Sequence, residues 1–347
     1  MKLMKTTEAV GQVLCHDITQ IIPGVKKDAV FRKGHIITKE DIPVLLSVGK
    51  DTIYIWENDD TMMHENEAAQ VLYSMCACGT ASKMHQSSVK EGKIEVIADC
   101  DGLLKVDSEK LKKVNSFGEM MIATRHGNTT VKKDDKLAGT RIIPLVIKKD
   151  KLEAASHICD DGPILDIKPF VIRKAAIITT GNEVYHGRIQ DAFTPVIEKK
   201  IAEFGAQMMF HEVFDDDDKK ITDGCLRAIE AGAEIVFCTG GMSVDPDDKT
   251  PLAIKNTGAR IVSYGSPVLP GAMFLLSYYD AGDRLVPICG LPGCAMYNKR
   301  TIFDIVLPRL MARDMILADE LAGLGEGGLC LNCDVCTFPN CGFGKGF

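Results

Sequence analysis

The sequence predicts an α/β protein whose main domain has a mostly parallel sheet with helices on both faces, in three layers. Between residues 169 and 316, short apolar strands alternate with amphipathic helical segments, which is the chain order of a parallel sheet. The predicted strands are apolar at nearly every position, as expected of strands buried on both faces. Residues 1–168 mix short apolar runs with turn signals and indicate a smaller α+β domain. Residues 317–347 form a tail rich in glycine and cysteine.

The composition narrows the classes of protein to consider. The chain has 347 residues, of which 46% are hydrophobic, so it can fill the cores of two domains and is not a disordered protein. Its 48 acidic residues outnumber the 41 basic ones, giving a net charge of −7, and we therefore expect no nucleic-acid partner. The sequence has no run of about 20 apolar residues and no secretory-type N-terminal segment. We expect no membrane association and a cytoplasmic location.

The first domain is predicted to contain two β-rich stretches and three helices. β-Branched residues punctuated by glycine and proline predict strands within residues 25–38 and 131–148. Helical spacing of apolar residues predicts three helices: 39–48, 65–78 and 108–123. This mixture indicates an α+β fold, and its composition reveals no chemistry.

The second domain is predicted from its alternating pattern. Strands are expected at six places: 174–179, 207–213, 234–238, near 261, 273–277 and 285–288. Helices are expected in four: from a cap at Asp191 to Gly205, over 221–230, after Asp248, and over 294–310. The glycine-rich segment 319–328 is predicted to be a flexible linker to the cysteine tail.

Polar and glycine-rich loops follow the first three strands of this domain. They are residues 180–183, 215–218 and 239–250. Ligands of open parallel sheets bind at the carboxyl ends of the strands, so these loops are expected to meet at one edge. A glycine pair, Gly240-Gly241, can turn backbone N–H groups toward an anion, and a divalent cation such as Mg²⁺ can bridge phosphate to nearby carboxylates. Each feature alone is also typical of ordinary turns and helix caps.

Together these residues resemble a known family. The carrying motifs occur in order: Thr180-Gly181-Asn182-Glu183, Gly187-x-Ile189-x-Asp191, the Asp-Asp loop, Thr239-Gly240-Gly241-x-Ser243-Val244 with Asp248 and Thr250, Pro270-Gly271, and Leu291-Pro292-Gly293. Over residues 170–315 the chain is similar to the molybdopterin-binding domain of molybdenum-cofactor biosynthesis proteins, including molybdenumtransferases of the MoeA/gephyrin type. The segments 31–53 and 136–145 also resemble parts of the amino-terminal region of those transferases.

The resemblance implies a ligand, a metal and candidate residues. The ligand would be molybdopterin or its adenylylated form, and the reaction would be Mg²⁺-dependent insertion of molybdate with cleavage of a phosphoanhydride. The carboxylates of Glu183, of one of Asp216 or Asp217, and of Asp248 would organise metal and phosphate. The residues implied to bind the cofactor are Thr180, Gly181, Asn182, Asp191, Gly240, Gly241, Ser243, Val244, Thr250, Pro270, Gly271, Pro292 and Gly293. Family members commonly form homo-oligomers, and a molybdoenzyme or redox protein is an implied partner.

Two other functions stay open. The sequence motif Pro246-Asp247-Asp248-Lys249-Thr250 resembles that of the competence-damage-inducible family, which includes nucleotide pyrophosphatases that require a divalent metal. A non-catalytic cofactor-binding or regulatory module is the third reading, and the sequence does not decide whether the chain is an enzyme.

The thirteen cysteines divide into two groups. Nine are scattered over the first 329 residues and are expected to be small core or surface residues. The other four follow the pattern Cys330-x₂-Cys333-x₂-Cys336-x₄-Cys341. Thiolates so closely spaced are typical of a [4Fe–4S] cluster, whereas structural Zn²⁺ sites usually separate two Cys-x-x-Cys pairs by a dozen or more residues. We expect a metal at these cysteines, with the cluster favoured over Zn²⁺ and free or redox-active thiols as the third alternative.

Overall fold

The computed structural model describes residues 2–22, 26–55, 59–78, 83–246 and 248–346. The chain divides into two compact units. The first comprises Met1–Asp99, Val106–Arg125 and Asp134–Asp166, and the second comprises Cys100–Lys105, His126–Lys133 and Ile167–Phe347. In the described part of the chain, no helix has both the length and the apolar character needed to cross a bilayer.

The first unit contains short antiparallel sheets and four helices. The strands that precede the second unit's main sheet are β1 (Lys2–Lys5), β2 (Ile18–Ile22), β3 (Lys26–Phe31), β4 (Thr52–Ile55), β5 (Met62–His64), β6 (Met84–Gln86), β7 (Ile94–Ala98), β8 (Gly102–Val106), β9 (Met120–Thr124), β10 (Thr129–Val131), β11 (Lys136–Ile142), β12 (Val146–Lys148) and β13 (Leu165–Lys168). The helices are α1 (Asp41–Ser47), α2 (Glu65–Cys76), α3 (Ser108–Ser116) and α4 (Lys149–Ser156). Strands β8 and β10 lie almost wholly in the second unit and pair with each other.

One predicted helix of this unit is too long. The prediction ran from 108 to 123, but α3 ends at Ser116 and the chain turns at Gly118. Residues Met120–Thr124 then form β9, which pairs antiparallel with β11. The predicted strand region 25–38 begins at Val25, which lies outside the described residues.

The second unit is built on a six-stranded sheet. Its strands are β14 (Lys174–Thr180), β15 (Gln207–Phe214), β16 (Ile235–Thr239), β17 (Arg260–Tyr264), β18 (Leu275–Asp280) and β19 (Leu285–Leu291). Its helices are α5 (Asn182–Tyr185), α6 (Thr194–Ala202), α7 (Asp218–Glu230), α8 (Thr250–Asn256), α9 (Ile302–Met311) and α10 (Ala318–Gly323). The strand order is β15-β14-β16-β19-β18-β17. This mixture of a sheet with intervening helices confirms the predicted α/β class.

Strand direction determines which loops share an edge of the sheet. β14 is parallel to β15 and β16, and β16 is parallel to β19. β18 is antiparallel to β19 and to β17. The carboxyl ends of β14, β15, β16 and β19 therefore lie at the same edge as the amino end of β18.

Alternate residues of the sheet enter two hydrophobic clusters. Ile177 and Phe237 belong to a cluster that includes buried residues of α6 and α9. Their neighbours Ile178 and Cys238 belong to another, which includes buried residues of α7 and α8. Since successive side chains of a strand point to opposite faces, each strand contributes to both clusters.

Two predictions near the carboxyl end are wrong. The helix predicted over 294–310 is a short 3-10 turn, Gly293–Met296, followed by α9 from Ile302. The reason is a capping box, in which Asp304 accepts the Thr301 N–H at 2.9 Å and the Thr301 hydroxyl oxygen accepts the Phe303 N–H at 3.2 Å. The predicted flexible linker 319–328 instead contains most of α10, whose Leu321 is buried in the core.

Candidate functional site

A cavity of about 570 Å³ lies in the second unit at the edge where the parallel strands end. Three loops form most of it: the one after β16, the one before β18 and the one after β19. The lining residues are Phe193, Gly240, Gly241, Met242, Ser243, Asp245, Asp248, Leu269, Pro270, Gly271, Ala272, Met273, Leu291, Pro292, Gly293, Cys294, Tyr297 and Asn298. The cavity thus has an apolar wall, two carboxylates and two hydroxyl groups.

The turn after β16 can only be made by glycines. Gly240 and Gly241 have φ values of +82° and +55°. A Cβ atom on Gly240 would lie 2.9 Å from the Thr180 hydroxyl and closer still to the carbonyl oxygen of Thr180, and one on Gly241 would lie 2.9 Å from the Thr250 hydroxyl. The two threonine hydroxyls hydrogen-bond to each other at 2.9 Å. The glycine turn therefore rests directly on a buried threonine pair, and this contact positions its backbone at the cavity.

The loop that follows is supported from the side by a tyrosine. The Tyr264 hydroxyl donates to the carbonyl oxygens of Met242 at 3.0 Å and Ser243 at 3.4 Å. Partial burial, and then the nearby Asp248 carboxylate, raise the pKa of Tyr264, so the phenol stays protonated and keeps donating. Asp248 also accepts the Asp245 N–H at 3.3 Å. The two carboxylates are therefore held in one short turn at the cavity.

Three of the predicted carboxylates do not line this cavity. Glu183 lies in α5, which follows β14, and Asp216 lies in the loop after β15, where it accepts the Asn182 N–H at 3.1 Å. Asp217 caps α7 by accepting the N–H groups of Lys219 and Lys220. Only Asp248 of the four predicted carboxylates borders the cavity. Asp247 lies outside the described residues.

Several residues predicted to bind the cofactor have structural contacts instead of cavity contacts. Thr180 and Thr250 are buried beneath the glycine turn. Val244 is 84% exposed on the loop, and Gly181 donates its N–H to the Phe214 carbonyl oxygen at 3.2 Å.

Asp191 belongs to a polar network at the start of α6. Its carboxylate accepts the N–H groups of Phe193 and Thr194 and the hydroxyl groups of Thr179 and Thr194. The N-cap of α6 is Phe193, two residues after the predicted cap. Burial acts to raise the pKa of Asp191, but these hydrogen bonds lower it overall. His211 Nε2 lies within 3.1 Å of the Thr179 hydroxyl. The network fixes the start of α6, and Asp191 is outside the cavity lining.

The remaining predicted residues come together in the cavity. They are Gly240, Gly241, Ser243, Pro270, Gly271, Pro292 and Gly293. Asp245 was not predicted as a site residue, although its position three residues before Asp248 indicates a second carboxylate in the same turn. Tyr297 and Asn298 were not predicted either, because those positions were assigned to the interior of a helix.

The four tail cysteines border a different cavity of the second unit, of about 230 Å³. All four are free thiols. Across the residues that the structure describes, no three histidine, cysteine, aspartate or glutamate side chains are close enough together to hold a single metal ion.

Comparison with known proteins covers parts of the chain. Residues 176–312 match the family model described as "Probable molybdopterin binding domain", and residues 3–57 match one described as "Domain of unknown function (DUF8806)". A "Putative competence-damage inducible protein" of Bacillus velezensis is 29% identical over 90 residues, which are 26% of this chain and 21% of that protein. The protein of the same name from Bacillus cereus is 32% identical over 129 residues, covering 37% of this chain and 30% of the relative. The chain thus spans less than a third of the length of these relatives.

Among solved structures, the tungsten cofactor synthesizing protein MoaB from Pyrococcus furiosus is similar, with 18% identity and a TM-score of 0.31, over 41% of this chain and 89% of that one. The family model is the match that bears on the cavity, because residues 176–312 include all of its lining. Residues 176–312 are therefore similar to the domain family described as "Probable molybdopterin binding domain".

Proposed function

We propose that the second unit binds a phosphorylated pterin of the molybdopterin type, free or adenylylated, in the 570 Å³ cavity at the sheet edge. The observation that carries the proposal is the combination of the Gly240-Gly241 turn, two carboxylates and an apolar wall in one cavity. Its volume lies within the range of about 300–1,000 Å³ usual for small-molecule sites. The matched domain family supports a ligand of this class.

Each part of the cavity has a separate task in this proposal. The backbone of the glycine turn and the Ser243 hydroxyl donate hydrogen bonds to the phosphate. Leu269 and Tyr297, which are 56% and 74% exposed, offer apolar surface to the flat pterin ring. The Tyr264 hydroxyl holds the loop so that the donors are in place before the ligand arrives.

The cavity carboxylates fit a divalent cation that accompanies the phosphate. Asp245 and Asp248 bring two negative charges, and the described lining residues include no lysine or arginine to balance them. Mg²⁺ is usually held by one or two carboxylates together with phosphate oxygens and water, so these two residues are a sufficient protein contribution. When bound, Mg²⁺ would supply the positive charge that lets an anionic ligand lie beside two aspartates.

Calorimetric titration of the full chain with molybdopterin and with its adenylylated form, with and without Mg²⁺, tests the proposal. We expect binding that is tightened by Mg²⁺ and at least tenfold weaker in Asp248→Asn. The matched control is Asp223→Asn, which changes an exposed aspartate on α7 outside the cavity and should bind like the wild type. No binding of either form by the wild type would refute the proposal.

We further propose that this site catalyses the insertion of molybdate into the pterin. With adenylylated molybdopterin and molybdate, insertion would break the phosphoanhydride and release AMP, which chromatography detects. Phosphoanhydride cleavage depends on charge neutralisation and positioning more than on a strong nucleophile, which suits a site of carboxylates, Mg²⁺ and backbone donors.

The second candidate is a metal-dependent nucleotide pyrophosphatase. The matches to competence-damage inducible proteins and the loop sequence Asp248-Lys249-Thr250 favour this second function. A panel of dinucleotide-like pyrophosphates incubated with the chain and Mg²⁺ separates the two candidates. Turnover of such compounds without pterin binding would select the pyrophosphatase.

A further inference from the structure

The cysteine tail is folded onto the second unit. The Leu269 N–H donates to the Gly328 carbonyl oxygen at 2.8 Å, and the Cys330 N–H donates to the Leu269 carbonyl oxygen at 2.8 Å. Phe343 is only 5% exposed and belongs to the same hydrophobic cluster as α9. Two backbone hydrogen bonds and a buried aromatic ring therefore hold the tail on either side of its cysteines.

All four cysteines border one cavity of about 230 Å³. Cys330 and Cys341 are partly buried, and Cys333 and Cys336 are exposed. Leu329, Leu331, Phe338 and Phe343 supply apolar lining, and Lys299 and Arg300 add two cationic side chains. A region with four free thiols, apolar walls and two cations is unlike an ordinary surface turn, and the reaction proposed above does not use it.

We propose that Cys330, Cys333, Cys336 and Cys341 bind a cubane [4Fe–4S] cluster in this cavity. Thiolates are soft ligands that select iron–sulfur clusters or Zn²⁺. Structural zinc sites usually separate two Cys-x-x-Cys pairs by a dozen or more residues, whereas the closely spaced Cys-x₂-Cys-x₂-Cys-x₄-Cys pattern is typical of a cluster loop. The structure adds that all four of these cysteines border the same cavity.

The cations beside the cavity match the charge of such a cluster. Four thiolates with a cubane core carry a net negative charge that nearby donors must offset. The Arg300 guanidinium lies close enough to Cys336 for the two groups to interact electrostatically, and it donates to Asp304 Oδ1 at 2.8 Å. It also lies over the Phe338 ring at 5.1 Å from its centre. Because the Asp304 side chain is only 4% exposed, Arg300 is held in position beside the cysteine in the absence of any cluster.

The second cation is fixed by the tail itself. Lys299 Nζ donates to the Asp334 carbonyl oxygen at 3.2 Å, between Cys333 and Cys336. The loop that carries the middle cysteines is therefore connected to the segment before α9 by both Lys299 and Arg300. Both cationic side chains therefore lie beside the cavity that the four cysteines border.

Anaerobic reconstitution of the full chain tests the proposal. The protein is reduced, incubated with ferrous iron and sulfide, desalted, and assayed for iron, acid-labile sulfide and zinc. The test variant is the double substitution Cys333→Ser/Cys336→Ser, whose two side chains are exposed, so its circular dichroism should equal that of the wild type. The matched control is Cys78→Ser, which removes an exposed free thiol of the first unit.

We expect about four iron and four sulfide per chain in the wild type and in Cys78→Ser, with the electron paramagnetic resonance signal of a reduced cluster after dithionite. The double variant should lose more than nine-tenths of the iron and sulfide. Retention of iron and sulfide by the double variant would overturn the proposal. So would uptake of one zinc and no iron by the wild type when both metals and sulfide are offered. The assay needs no pterin, so its outcome is independent of the function proposed for the other cavity.

Discussion

Substitution of Gly240 by alanine measures how tightly the candidate ligand loop is packed against the sheet. Gly240 has a φ of +82°, and a Cβ atom there would lie 2.9 Å from both the carbonyl carbon and the hydroxyl of Thr180. The left-handed conformation costs a non-glycine residue about 1–2 kcal/mol. Forcing the buried backbone of Thr180 aside adds an overpacking cost of about 1–3 kcal/mol. We therefore expect Gly240→Ala to lower the free energy of unfolding by about 2–5 kcal/mol.

Gly258→Ala is the matched control, because Gly258 has almost the same φ, +85°, but open space around its missing Cβ. It should lose only the conformational part, about 1–2 kcal/mol. Urea unfolding followed by circular dichroism gives the two free energies. Hydrogen–deuterium exchange of β14 and β16 assigns the loss to this sheet instead of the first unit. If Gly240→Ala is no less stable than Gly258→Ala, the close packing of the turn on Thr180 is not present in solution.

Three further perturbations test other parts of the second unit. Burial acts to raise the pKa of Asp314, but hydrogen bonds and charges from Lys105, Lys168 and Arg309 lower it from 3.8 to about 2. The side chain is only 7% exposed, so the shift corresponds to about 2 kcal/mol of stability that is present above pH 4 and lost as the pH falls toward 2. Asp314→Asn should thus be less stable than the wild type at neutral pH, and the difference between their urea midpoints should close between pH 4 and pH 2. A difference that does not change with pH would show that the ionised carboxylate is not the source of the stability. Tyr264→Phe removes the hydroxyl that holds the cavity loop. A typical hydrogen bond is worth about 1 kcal/mol, so we expect roughly fivefold weaker pterin binding in calorimetry. Unchanged affinity would show that the loop needs no such support. Arg300→Gln removes the cation beside Cys336. Redox titration of the reconstituted cluster should then give a more negative reduction potential than in the wild type. An unchanged potential would show that the guanidinium does not face the cluster.

The strands of the second unit could be predicted because each is a short apolar run buried on both faces. Ile177 and Ile178, for example, enter opposite clusters, so the sequence shows no polar face there. The errors lie where a local signal competes with periodicity. The segment 294–310 was predicted as one helix, but the polar residues 298–301 interrupt it and the capping box of Thr301 with Asp304 starts a new helix there. The Thr-x-x-Asp spacing was visible in the sequence and could have placed that boundary.

The candidate site could be predicted at the sheet edge together with part of its lining, but the positions of three of the predicted carboxylates could not. Parallel strands bring the loops after β14, β15 and β16 to one side, yet Asp216 and Asp217 there bind backbone N–H groups instead of bordering the cavity. Whether an aspartate caps a helix or faces a ligand depends on tertiary distances that no single sequence encodes. Leu269 and Pro270 form part of the cavity wall and lie in the turn before the antiparallel strand β18. This turn reaches the cavity edge because of the strand order, so the position of the wall also depends on the tertiary structure.

The two cavities of the second unit share parts of their framework. Leu269 lines the larger cavity, and its backbone N–H and carbonyl both bond to the tail that carries the cysteines. On the other side, Asn298 lines the larger cavity, and Lys299 and Arg300, which follow it directly, line the smaller one. A group bound in either cavity therefore orders backbone that the other cavity also uses. Since coupling between two binding sites is reciprocal, a cluster that tightens pterin binding must itself be held more firmly when the pterin is bound.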